Sequence, residues 1–107
     1  MDQKRTKYIK KLKELKKIVS RDIDINKFIL FGSRSKGGYK RYSDFDIIVV
    51  SKYFKNINRL DRPYILYTKW NFNLPVDFLC YTPEEFNKLK KQITIVQEAV
   101  KEGIEIK

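Results

Sequence analysis

The chain has 107 residues, with 24 Lys and Arg against 13 Asp and Glu, a net charge of +11, one Cys and no His. That length suits one compact domain, and 42% hydrophobic with 14% aromatic residues is enough to build a core. Without His there is no imidazole acid–base chemistry, no Ser-His-Asp triad and no His-ligated metal, and a single Cys excludes internal disulfides and Cys-pair zinc sites.

At the N-terminus, Tyr8, Leu12, Leu15 and Val19 recur at helical spacing, with Ile9 and Ile18 beside them, so residues 3–20 read as an amphipathic helix. The lysines around that stripe read as a solvated face, and a nucleic-acid grip is the competing reading. The segment 1–17 is basic but lacks a continuous apolar stretch, so no secretory signal is expected. No apolar run approaches the roughly 20 residues of a membrane span. With the lone Cys80, a cytoplasmic protein that does not enter the membrane is expected. The positive charge has two readings: an anionic partner such as a nucleotide, a nucleic acid or an acidic protein face, or a lysine-rich solvated surface.

Lys27 to Phe31 is a short apolar run closed by Gly32 and reads as a buried strand. Residues 32–40 hold three glycines and several small or basic residues, a turn with room for one helical turn. Asp44 to Ser51 is a second strand, with Ile47, Ile48, Val49 and Val50 as its body. Leu60 to Trp70 reads as helical, with Pro63 near its first turn. Val76 to Tyr81 is a third strand, preceded by Pro75. Thr82-Pro83-Glu84-Glu85 is a capping box that opens a last helix, with the stripe Phe86, Leu89, Ile93, Val96 and Val100, and Gly103 as its stop. The result is a small α/β domain: a sheet of three or more strands flanked by helices.

Three features carry chemistry. Asp44 and Asp46, at i and i+2 in a strand, share a face about 6.5–7 Å apart at Cα. Two such carboxylates repel each other, and a divalent cation such as Mg²⁺ relieves that; a polar strand entry is the plainer reading. Gly32-Ser33 directly follows a buried strand, where a tight turn exposes backbone N–H groups to phosphate oxygens. Arg34, Lys36, Lys40 and Arg41 add positive charge nearby, and the Walker order is absent. Asp77 lies inside an apolar strand, where an acid is costly unless paired or metal-bound. If its strand lies beside that of Asp44, three carboxylates gather at one end of the sheet, the outline of a two-metal site.

Phe31-Gly32-Ser33-Arg34-Ser35-Lys36-Gly37, followed by Ser43-Asp44-Phe45-Asp46-Ile47-Ile48-Val49 and a later strand acid, resembles the minimal nucleotidyltransferase (MNT) domains of the DNA polymerase β superfamily. The resemblance runs over about residues 27–86 and implies a nucleotidyltransferase-type mixed sheet as one domain over residues 1–107. It implies that Gly32 and Ser33 bind the triphosphate of an NTP, ATP first, with Arg34 as a further phosphate contact. It also implies that Asp44, Asp46 and Asp77 are catalytic and hold two Mg²⁺ ions, with Asp77 helping to deprotonate an acceptor hydroxyl. The expected reaction transfers NMP to that hydroxyl and releases pyrophosphate.

Larger members carry a C-terminal domain for the acceptor, so acceptor recognition is expected here from a partner, a second copy in a homo-oligomer, or the charged surface. MNT proteins are often paired with a HEPN toxin, and some act as antitoxins that adenylylate a tyrosine on it, a role that only the resemblance implies here. A HEPN site needs His, so any such partner is a separate protein. The alternative is a non-catalytic module that keeps the fold and binds a protein or RNA, with Tyr39, Tyr42, Tyr53, Tyr64 and Trp70 available, although core or rim packing explains these rings as well. Cys80 is one residue out of phase with Asp77 and reads as packing rather than as a nucleophile.

Overall fold

Leu12, Leu15 and Val19 form one apolar stripe on α1 (Gln3–Val19), and all three are buried against a sheet. This computed structural model describes residues 3–36 and 44–107, with the side chains at 3–5, 33 and 36 outside the description. The sheet has four strands: β1 (Lys27–Phe31), β2 (Phe45–Val50), β3 (Val76–Tyr81) and β4 (Ile104–Glu105), in the order β3-β2-β1-β4. β1 runs antiparallel to β2 and β4, and β2 runs parallel to β3, so the sheet is mixed. The parallel pair needs a crossover. Residues 51–75 supply it through a 3-10 turn (Lys52–Asn56) and a short helix, α3 (Tyr64–Tyr67).

Strand alternation sorts the core into two layers. Phe28, Leu30, Phe45, Ile47, Val49, Phe78 and Cys80 face α1 and α3. Ile29, Phe31, Ile48 and Val50 face the other way, onto Phe86 of α4 (Pro83–Leu89) and Val96 and Ala99 of α5 (Ile95–Glu102). Because both faces are covered, β1 and β2 read as continuous apolar runs. Each fully buried Phe or Ile contributes about 1.5–3 kcal/mol.

The structure departs from expectation in three places. The helix expected over 60–70 shrinks to α3, because Asn58 Oδ1 accepts the Leu60 N–H and holds a turn there. Leu60 is left 89% exposed. The single last helix is two. Thr94 donates its hydroxyl to Leu89 O and accepts from Gln97 N, ending one helix and capping the next. Ile93, expected in the apolar stripe, is therefore 99% exposed, and the break returns Val96 and Ala99 to the sheet. The fourth strand, β4, has no counterpart in the sequence reading. Gly103 makes it possible, since a Cβ there would lie 2.8 Å from Ile29 Cγ2 and 2.9 Å from Leu30 O. The chain leaving α5 can thus run against β1, where Ile106 N donates to Phe28 O at 2.7 Å.

The outer edge of the sheet is blunted by side chains. Arg62 Nη1 donates to Cys80 O, and Tyr67 Oη donates to Val76 O, both at 3.2 Å, so carbonyls on the free side of β3 are occupied.

Candidate active site

Parallel pairing of β2 and β3 places Asp46 directly beside Asp77. By strand alternation both lie on the face that carries Ile48, Val50 and α5, away from the α1 layer. Asp44 stands two residues before Asp46, just outside the strand, and is exposed. Of the three carboxylates expected to gather, Asp46 and Asp77 stand side by side, and Asp44, just outside the strand, does not line the cavity described below. Partial burial, then the Asp77 and Asp44 charges, hold the Asp46 carboxyl above the usual carboxylate range.

The turn after β1 closes on the same pair. Phe31 is in register with Asp46 across the antiparallel β1–β2 pair. Gly32 follows with φ of +74°, the left-handed region that side chains disfavour. A Cβ at this position would lie 2.6 Å from Asp46 Oδ2. Glycine is thus required twice, for the turn itself and for the approach of the carboxylate. Gly32 O accepts from Ser35 N at 3.1 Å and from the Ser35 hydroxyl at 2.8 Å, which winds the single helical turn α2 (Ser33–Lys36).

Ser33 opens that turn, beside Gly32. Arg34, expected at the phosphates, does not line the cavity described below: it is 2% exposed, and its guanidinium lies over the rings of Phe45 and Tyr8. Phe45 belongs to the α1 layer, on the opposite face from Asp46. Lys40, Arg41, Tyr39 and Tyr42 fall outside the described residues, as do the side chains of Ser33 and Lys36.

A cavity of about 510 Å³ opens over this end of the sheet. Gly32, Asp46 and Asp77 form one side, and Ile95, Glu98 and Glu102 of α5 form the other. The two glutamates were not singled out from the sequence. Their signal in the sequence is an i, i+4 pair on the flank of the buried Val96/Ala99 stripe.

Cys80 takes no part. It points into the α1 layer at 8% exposure, and burial pushes its thiol up to about 12, against a smaller opposing effect of Arg62. Of the aromatic side chains named above, Trp70 packs on Phe45 at 5.5 Å, whereas Tyr53 and Tyr64 are exposed. No described helix is long and apolar enough to cross a membrane.

Comparison with known proteins bears on the fold and the family. The sequence profile of the nucleotidyltransferase domain matches residues 12–101. The crystal structure of a provisionally assigned nucleotidyltransferase from Sulfolobus solfataricus is similar, with a TM-score of 0.68 at 25% identity, covering 94% of this chain and 80% of that one. A second provisionally assigned nucleotidyltransferase is 30% identical with a TM-score of 0.48, covering 78% of this chain and 88% of its own. No protein of curated function matches. By the match over most of its length, the chain belongs to the nucleotidyltransferase domain family.

Proposed function

We propose that the chain is a Mg²⁺-dependent nucleotidyltransferase that moves a nucleoside monophosphate, AMP first among the candidates, from an NTP to a hydroxyl acceptor. The observation that carries this reading is the Asp46–Asp77 pair, held in register against a glycine that leaves room for the carboxylate. Among the described residues no three His, Cys, Asp or Glu side chains close on one point. The side-by-side Asp46 and Asp77 fit magnesium, which commonly takes one or two carboxylates at a time and completes its shell with water and substrate phosphates. Asp44, Asp46 and Asp77 are the residues that would hold it. Bound there, the metal would offset charge on the α-phosphate and the leaving pyrophosphate.

The chain's own groups divide the remaining work. The backbone N–H groups of the Gly32–Ser33 turn receive the phosphates. Glu98 and Glu102 stand on the far wall of the cavity, across from Gly32. Asp77, on the exposed edge strand, takes the proton of the acceptor hydroxyl. The oxygen bonds to the α-phosphorus, the bond from that phosphorus to the bridging oxygen breaks, and pyrophosphate leaves. The resemblance to MNT proteins supports a physiological reading: a cytoplasmic antitoxin that adenylylates a separate HEPN-type toxin.

The test is label transfer from α-labelled ATP with Mg²⁺, in a lysate of the source cells, with γ-labelled ATP as control. The expected result is a band labelled from the α position only, and lost in Asp44→Asn. A band that survives Asp44→Asn, or label from the γ position, overturns the assignment. Treating the labelled band with protease and with ribonuclease identifies the acceptor class.

A further inference from the structure

We infer that Arg34 is a positioning residue, a buried clamp that locks the phosphate-binding turn to the strand carrying the carboxylates. The inference rests on the function proposed above and assigns to Arg34 a part different from phosphate contact.

The turn is gripped from two sides. In front, Gly32 lies against Asp46 Oδ2. Behind, two residues along, the Arg34 guanidinium lies 4.7 Å from the centre of the Phe45 ring and 4.9 Å from that of Tyr8. Phe45 sits between Asp44 and Asp46 in the chain, so its ring is the reverse side of the carboxylate strand. One side chain therefore ties the segment that meets the phosphates to the segment that carries two of the acids.

The ring it rests on is itself fixed. Tyr8 meets Phe45 edge-on at 5.2 Å, Trp70 does so at 5.5 Å, and Phe72 stacks on it at 5.6 Å. A guanidinium is flat, weakly hydrated and able to lie on two rings at once, whereas an ammonium is compact and strongly hydrated. The chain makes that choice consistently. Lysines fill its exposed surface, yet the basic side chains buried among the described residues, Arg34 and Arg62, are both arginine.

The test has two independent readouts on wild type, Arg34→Lys and Tyr8→Leu. The first is amide hydrogen exchange without nucleotide. The second is titration with Mg·ATP and with AMP, followed through emission of Trp70, the sole tryptophan, which packs on Phe45. In Arg34→Lys, exchange at Ser35 is expected to quicken about tenfold while β1 and β2 stay protected. ATP affinity is expected to fall about tenfold, and AMP affinity less than twofold, because the turn serves the β- and γ-phosphates. Tyr8→Leu, which removes one ring and leaves the arginine in place, is expected to show the same pattern at smaller size. It carries the test if Arg34→Lys does not fold.

Unchanged exchange at Ser35 in a folded variant overturns the clamp. So does loosening of the turn with full ATP affinity, or an equal loss for ATP and AMP. A wild-type protein that binds no ATP overturns the proposed function instead, and the exchange data then decide the clamp alone.

Discussion

The parallel β2–β3 pair ends differently on its two sides. At the Val50–Tyr81 end, polar groups are matched. Ser51 N donates to Tyr81 O, and the Ser51 hydroxyl donates to Asp24 O. Thr82 and Glu85 satisfy each other's backbone N–H in a complete capping box. Arg62 reaches across to Ile57 O, Cys80 O and Glu85, at 2.7 Å from Glu85 Oε1. At the Asp46–Asp77 end, like charges stand side by side, and partial burial first, then the Asp77 and Asp44 charges, push the Asp46 carboxyl upward. One end uses its polar residues to hold the fold; the other keeps a local repulsion that a bound cation would relieve. The contrast sets polar groups that hold the fold apart from the crowded pair that the proposed function uses.

Substitution at the crowded end breaks that contrast most sharply. Asp46→Asn is expected to lower transfer activity by about 10³-fold or more, since the lost electrostatic stabilisation is several kcal/mol. The same variant, free of metal, is expected to melt about 2–4 °C higher, because relieving a like-charge cross-strand pair is worth about 0.5 kcal/mol. Opposite signs for activity and stability are the signature of a functional cluster. Loss of both together, read by label transfer and thermal melting, would return Asp46 to an ordinary structural role. Gly32→Ala comes next. It forces a side chain into the left-handed region and into Asp46 Oδ2, so a loss of about 2–3 kcal/mol is expected in chemical denaturation, with activity abolished.

Much of this was legible in the sequence. Apolar runs closed by Gly32 and opened by Pro75 place β1 and β3, whereas Asp44, expected inside the second strand with Asp46, stands just before β2. The parallel register that sets Asp77 beside Asp46 was only conditional, since nothing local in either strand dictates which neighbour it takes. β4 was invisible for a similar reason: Ile104 and Glu105 become a strand through contact with β1, which Gly103 permits. The surroundings of Arg34 were not legible either. A basic residue after a glycine-serine turn looks like a phosphate contact, and only tertiary packing shows its guanidinium lying on Tyr8 and Phe45.

At the matched end, the sharper test is Glu85→Gln. Burial raises the Glu85 carboxyl, but the Arg62 hydrogen bond, the Thr82 N–H and the charges of Arg62 and Arg59 outweigh it, so its net shift is below the ordinary 4.5. A depressed carboxylate contributes stability that is complete above that value and is lost as pH falls through the lower folded value. The glutamine retains the cap but removes the charge facing the 6%-exposed Arg62. A deficit of about 2 kcal/mol at neutral pH is therefore expected, narrowing below pH 4.5 as the wild-type carboxylate takes up its proton. A deficit that does not change with pH would mean that the hydrogen-bond geometry matters there and the charge does not.

The smallest effect is expected at the break between α4 and α5. Thr94→Ala removes the oxygen that caps Gln97 N and the hydroxyl that satisfies Leu89 O, at a cost of about 1 kcal/mol. Its value lies in where the damage goes. α5 carries Glu98 and Glu102 on the cavity wall and Val96 and Ala99 on the sheet. If the phosphates sit on the Gly32–Ser33 turn as proposed, a frayed α5 leaves ATP affinity unchanged while melting falls by a few degrees. If α5 instead contacts the phosphates, affinity falls along with stability. One conservative substitution, far from the acidic pair in sequence, thus tests which side of the cavity the phosphates occupy.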